Sequence, residues 1–175
     1  AAATDKSKAL VLWGRTLELL EASGDVRADF FAAGQIAKGV SVFGNGKRLV
    51  HVEIHREDTE YGQPLMIPQS ETERVLAERL AARGVHVERN TELVAIEDRG
   101  DEVHATLQRA DGSQESLGCP WVLACDGAHS TCRKQLGIEF VGDFEPNDWI
   151  LADIRVDGPL SHDEISVYWH SRGMA

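Results

Sequence analysis

Trp121-Val122-Leu123-Ala124-Cys125-Asp126-Gly127-Ala128-His129-Ser130-Thr131-Cys132-Arg133 is the stretch from which the architecture can be read. Its first five residues are continuously apolar, as expected of a buried parallel strand. Asp126-Gly127 ends that run with turn chemistry. The residues that follow predict a short helix ending near Gly137. In open α/β sheets, ligands collect at the carboxyl ends of strands. A carboxylate at that point can accept hydrogen bonds from ribose hydroxyls or orient a water on a diphosphate. Gly127 lets the backbone turn sharply there. Ser130 is placed to satisfy free amides in the first helical turn. Arg133, one turn on, carries charge that could hold Asp126 or a phosphate.

Upstream, Trp13, Leu17 and Leu20 have the spacing of one helix face, and Gly24 is a plausible stop. Val40 and Val42, then Val50, Val52 and Ile54, alternate with polar residues around Gly44-Asn45-Gly46-Lys47, which predicts a β-hairpin. Ser70 and Glu73 have capping-box spacing ahead of a helix that runs to Arg83. Val85–Glu88 suggests a short strand. Runs at Glu92–Glu97, Val103–Arg109 and Gln114–Leu117, joined by Asp/Gly turns, predict a small antiparallel meander inserted in an α/β unit. Two more strands are expected over Trp149–Val156 and Glu164–His170.

The 175 residues include 18 Lys+Arg and 29 Asp+Glu, a formal charge of −11, with 42 % apolar residues. That is enough apolar material for a packed core. The acidic balance argues against a nucleic-acid binder, which needs a basic face. No apolar run reaches the ~18 residues of a membrane span, and the start has no signal-peptide core. Cys119, Cys125 and Cys132 form no Cys-x-x-Cys pair, so neither a disulfide framework nor a zinc knuckle is indicated. A cytoplasmic protein is expected. His51, Glu53 and His55 alternate on one strand face, but a core-in, polar-out strand accounts for them, and no metal is assigned. Asp126, His129 and Ser130 are too close in sequence to form a nucleophile–base–orienter line. Cys125, ending an apolar strand, is expected to be an inert buried thiol. Trp149, Tyr168 and Trp169 suit either an aromatic pocket or sheet core.

D-G-x-x-S-x-x-R after an apolar strand resembles the fingerprint of FAD-dependent aromatic hydroxylases of the p-hydroxybenzoate hydroxylase type. Ser7-Lys8-Ala9-Leu10 with Gly14-Arg15-Thr16-Leu17-Glu18-Leu19-Leu20 is similar to the segment after that family's second strand. Pro68-Gln69-Ser70-Glu71-Thr72-Glu73 is similar to its Q-x-x-x-E helix start, and Leu136-Gly137-Ile138 also matches. The resemblance covers nearly the whole chain. The family's opening G-x-G-x-x-G and its later Gly-Asp motif are absent: Gly44-x-Gly46 sits in a hairpin turn, and Gly142-Asp143 follows the fingerprint too soon. The chain therefore reads as an internal fragment of an α/β flavoprotein. It would comprise a partial FAD-binding Rossmann-like domain with an inserted antiparallel meander, plus part of an antiparallel substrate-domain sheet. Residues 1–27 and 65–143 would belong to the FAD domain; residues 28–64 and 144–175 would pair as strands of the substrate domain.

The resemblance implies a cofactor-binding role for Lys8 (near the FAD diphosphate, where the family has arginine), for Gln69 (hydrogen-bonding the flavin side) and for Asp126 (FAD and NAD(P)H). Arg15 suits a structural helix position, and no residue is nominated as catalytic. The implied reaction hydroxylates a small aromatic (phenolic) substrate: NAD(P)H reduces FAD, and a flavin hydroperoxide delivers one oxygen to the ring. The alternatives are another flavoenzyme of the same fold, a halogenase or isoprenoid reductase, or a cofactor-free module that is inactive or only binds. Without the glycine fingerprint, the isolated piece is expected to purify colourless.

Overall fold

The computed structural model describes residues 9–24, 27–143, 150–152, 154–171 and 173–174. The chain begins with β1 (Val11–Leu12), α1 (Gly14–Ala22), α2 (Arg27–Ala33), β2 (Gln35–Ile36), β3 (Gly39–Gly44), β4 (Lys47–Glu53), β5 (Leu65–Met66) and α3 (Gln69–Ala82). It continues with β6 (Thr91–Asp98), β7 (Val103–Arg109), β8 (Gln114–Cys119), α4 (Thr131–Gln135), β9 (Glu164–His170) and β10 (Gly173–Met174). Two compact units result. One spans Val87–Ile150; the other combines Ala3–His86 with Leu151–Ala175.

In the second of these units, three helices close over a small sheet. Leu17 of α1, Phe30 of α2, Leu65 of β5 and Val75 of α3 meet Tyr61 and Ile67 in one buried cluster. β1 and β2 both pair antiparallel with β5. Trp13, expected on the buried face of α1, is instead 59 % exposed. It is the residue from which the helix starts rather than a residue inside it, so the helical period does not turn it inward.

The hairpin β3–β4 forms as read, with Val40 opposite Val52 and Val42 opposite Val50. Asn45 (φ 50°) and Gly46 (φ 75°) take the left-handed backbone that a two-residue hairpin turn demands. β9 joins the free edge of β3, and Phe43 and Tyr168 stack at 4.8 Å between ring centroids. The two segments thus pair, but β3 and β9 run parallel, with Val42 beside Val167. The sheet β10-β9-β3-β4 is therefore mixed rather than antiparallel throughout. A long excursion between two strands allows either direction, so the path of the chain sets it. Trp169 is exposed. Trp149 lies outside the described residues, and the described part of 149–156 is not in a strand.

In the unit over Val87–Ile150, β6, β7 and β8 form the expected antiparallel meander. β6 carries a register shift between Leu93 and Ala95. A bulge of this kind leaves backbone groups without ladder partners. The side chain of Gln135, from α4, supplies them: Nε2 donates to Val94 O at 2.7 Å, and Oε1 accepts from Ile96 N at 2.8 Å. Gln135→Ala is expected to raise amide exchange at Ile96 and to cost about 0.5–1.5 kcal/mol. Unchanged protection of that amide would show that the clamp is idle.

Two expected strands do not form. Val85–Glu88 makes no ladder, and Val85 and Val87 are exposed. Trp121–Cys125 is likewise not a strand, with Trp121 84 % and Leu123 87 % exposed. Apolar composition encodes a tendency to be buried, but a strand exists only beside a partner. None of the described strands pairs with this segment. Among the described residues, no helix is long and apolar enough to cross a membrane.

Candidate functional site: the turn at Asp126 and the helix it opens

The polar side chains of the Asp126–Arg133 stretch converge on the backbone of their own turn. Asp126 is exposed, and its Oδ2 accepts from the amides of Thr131 (2.7 Å) and Cys132 (3.1 Å), the first two residues of α4. Ser130 is buried, and its Oγ accepts from the Arg133 amide at 2.9 Å, the cap expected of it. Gly127 has φ 76°, and a Cβ built there would meet nothing within 4 Å. The site is therefore open on that side. Arg133 does not hold Asp126. Its Nη1 donates to Ala128 O at 2.8 Å, and its guanidinium lies 4.4 Å over the Phe140 ring. An open ring face and a nearby carbonyl satisfy the cation locally. At the far end, Ile138 N donates to Arg133 O at 3.0 Å beside Gly137 in the left-handed conformation.

The Ser130 hydroxyl, and after it the Cys132 amide, hold the Asp126 carboxyl below the usual carboxylate range. The group is thus ionised at neutral pH. Burial, and then the Asp126 charge, push the Cys132 thiol up. Cys132 is the buried cysteine; Cys125, expected to be buried, is exposed because the segment it ends is not covered. In the same unit, a cavity of about 460 Å3 is lined by Ile96, Val103, Trp121, Val122, Cys132 and Leu136, among others.

Gln69 is the first residue of α3, and its Nε2 donates to Glu73 Oε1 at 2.9 Å. The expected Ser70–Glu73 capping box is absent. Pro68 (φ −59°) starts the helix two residues earlier, its fixed φ already suited to helix entry, and Ser70 falls inside. Glu73 therefore pairs with Gln69 instead. Arg15 pairs with Glu18 at 2.9 Å on the surface of α1, as suits a structural residue. Lys8 lies outside the described residues.

A second polar cluster was visible in the sequence only as the alternating face of His51, Glu53 and His55; its link from Ser41 to Glu164, 123 positions away, was not. Ser41 on β3 is 1 % exposed; its Oγ donates to Glu164 Oε2 at 2.6 Å and lies 3.1 Å from His51 Nδ1. Beside it, Lys38 and Asp163 pair at 2.9 Å. The Ser161 hydroxyl, and then Lys38, draw the Asp163 carboxyl down to about 2. A cavity of about 380 Å3 opens here, lined by Lys38, His51, Glu53, His55, Gln63 and Asp163, with Glu164. No group of three or more metal-ligating side chains is assembled among the described residues.

The fold is mixed α/β, and an aspartate anchored by two backbone amides stands at the mouth of α4. A family model described as FAD binding domain matches residues 1–174, so the chain belongs to that family, the FAD-dependent aromatic hydroxylases. It is 38 % identical over 171 residues to 6-methylpretetramide 4-monooxygenase of Streptomyces rimosus, covering 90 % of this chain and 28 % of that one. It is 32 % identical over 153 residues to a protein of Bacillus subtilis (strain 168) named as the uncharacterized aromatic compound monooxygenase YhjG, covering 87 % of this chain and 30 % of that one. Among solved structures, OxyS anhydrotetracycline hydroxylase from Streptomyces rimosus superposes with a TM-score of 0.68 at 32 % identity, over 82 % of this chain and 28 % of that one. The p-nitrophenol 4-monooxygenase PnpA from Pseudomonas putida DLL-E4 has the same fold, with a TM-score of 0.74 at 23 % identity over 82 % of this chain and 37 % of that one. The chain thus spans about 30 % of the length of the curated relatives it matches.

Proposed function

We propose that this chain is part of an FAD- and NAD(P)H-dependent monooxygenase that hydroxylates a small aromatic, phenolic substrate. The observation that carries the reading is the exposed, ionised carboxylate of Asp126, held by two backbone amides beside an open glycine. The residues suit a flavin nucleotide. An acceptor at Asp126 matches ribose hydroxyls, and the missing side chain at Gly127 allows close backbone approach. Gln69 would contribute its amide to the flavin side, and Lys8 its charge to the diphosphate. Residues 1–27 and 65–143 would form the cofactor domain, and residues 28–64 and 144–175 part of the substrate domain.

Bound there, FAD would supply the redox chemistry, taking electrons from NAD(P)H for the activation of O2. The chain's own residues bind and orient, and none is assigned as an acid or base. In a flavin-loaded protein carrying this chain, Asp126→Ala is expected to lower FAD content or substrate-stimulated NAD(P)H oxidation while the fold persists. If both are unaltered, the assignment of Asp126 is wrong. The 175 residues alone, which contain no G-x-G-x-x-G, should purify without the flavin absorbance band. A stoichiometric yellow protein after gel filtration would contradict that expectation.

A further inference from the structure

The cavity lined by Lys38 and His51 is built around a missing side chain. Gly39, the first residue of β3, has Glu53 of β4 opposite it on one side and Glu164 of β9 on the other. Residues directly opposite one another point to the same face of a sheet. The two carboxylates therefore flank a position that carries no side chain. The His51 ring lies over it, since a Cβ built on Gly39 would meet His51 Cε1 at 2.8 Å. Next along the strand, buried Ser41 donates to Glu164 Oε2 and stands 3.1 Å from His51 Nδ1. The single hydroxyl proton is used on Glu164, so Nδ1 carries the hydrogen of its bond to Ser41. Nε2 is left as the accepting nitrogen of the ring, and it has no partner among the described residues. Glu53 and Gln63 also line the cavity, and neither makes a hydrogen bond or ion pair among the described residues.

The lining sorts the ligands that fit. Ile54 is its one apolar residue, so a hydrocarbon surface finds little to pack on. An anion would face the carboxylates of Glu53, Asp163 and Glu164, while the Lys38 charge is already paired with Asp163 at 2.9 Å. No group of three or more metal-ligating side chains is assembled among the described residues. An organic cation would share the space with Lys38. A hydroxyl meets none of these objections, because one oxygen both donates and accepts. It can give its proton to a carboxylate or to Nε2 and receive one from the Gln63 amide. His51 and Glu53 are two residues apart on β4 and share a face, so their acceptors stand side by side.

We propose that this cavity of about 380 Å3 is a binding site for a pair of hydroxyls on neighbouring carbons, with His51 Nε2 and Glu53 as their acceptors and Ser41 holding the imidazole in the accepting form. The pair can belong to a free polyol or to the edge of a hydroxylated ring. Asp126 lies in the other unit and takes no part in this site.

The test is imidazole nitrogen NMR on the isotopically labelled chain. Without ligand, His51 should show a protonated Nδ1 and an unprotonated Nε2, and Ser41→Ala should mix the two ring tautomers. Catechol should shift the Nε2 signal saturably. Veratrole, its dimethyl ether, has the same ring without O–H donors and should bind at least about tenfold more weakly. Erythritol, a vicinal polyol without a ring, separates the two sources. Binding as tight as that of catechol identifies a polyol site, and binding by catechol alone identifies the edge of a ring. His51→Asn keeps an amide N–H for Ser41 but removes Nε2, so catechol affinity should fall about tenfold with the amide of Val167 still protected. Catechol that does not saturate, veratrole or benzylamine binding as tightly as catechol, or parent-like affinity in His51→Asn would each overturn the proposal. So would a His51 ring protonated at Nε2 in the parent. The measurements contain no flavin, so they stand whatever the outcome at Asp126.

Discussion

Phe30→Ala should destabilise the helical unit by about 3–5 kcal/mol, the largest effect expected of a single truncation among the described residues. Phe30 is 1 % exposed and packs with Leu17, Tyr61, Leu65, Ile67 and Val75, which come from different parts of the first 86 residues. Removing its ring forfeits the transfer energy of the aromatic side chain and leaves a cavity that helices on several sides cannot all collapse into. Leu19→Ala provides the control. It removes an apolar side chain from the same helical layer, but Leu19 is 56 % exposed, so its cost should stay within about 0.5 kcal/mol. Urea denaturation, with amide exchange of α3 as the local probe, measures both. Equal midpoints for the two variants would show that this cluster is not the core.

Ser41→Ala should cost about 1–3 kcal/mol although it removes a single oxygen. The hydroxyl has one proton, and its bond to Glu164 Oε2 uses it. It therefore accepts from His51, which sets that ring as the Nδ1–H form. One buried atom thus ties β4 and β9 to the strand between them. Alanine leaves a carboxylate and an imidazole facing a methyl group. Replacing Glu164 by Leu in the same chain removes the stranded acceptor, so the double variant should lose less than the sum of the two singles. Faster amide exchange at Val167 in Ser41→Ala would place the loss at the β3–β9 seam. Additive losses would mean that the three side chains act independently.

Much of the local structure was legible because local physics determines it. Asn45-Gly46 between alternating valines admits little but a tight hairpin, since that turn needs positive φ at both positions. The meander followed from period-two patterning and two Asp/Gly turns. Ser130 was recognisable as a cap because its acceptor lies three residues from its donor. At Gln69 the same logic failed: the Ser70–Glu73 spacing was right, yet α3 starts from Pro68, so Ser70 already lies inside the helix. Arg133 was placed correctly in sequence but aims at Ala128 and Phe140 rather than at Asp126. A long side chain chooses among several partners, and spacing does not rank them.

By itself, the order of residues determined what interacts over a few positions: turns, helix stops, strand pairing across a tight loop, and the aspartate at the mouth of α4. Only the tertiary structure decided the parallel seam between β3 and β9, the buried contact of Ser41 with a glutamate 123 positions away, and the exposure of Trp121 and Leu123. The physical reason is range. Backbone sterics and capping bonds act between near neighbours and are written in the local pattern. Burial and strand partnership depend on which distant segment arrives alongside, and no single segment specifies that alone.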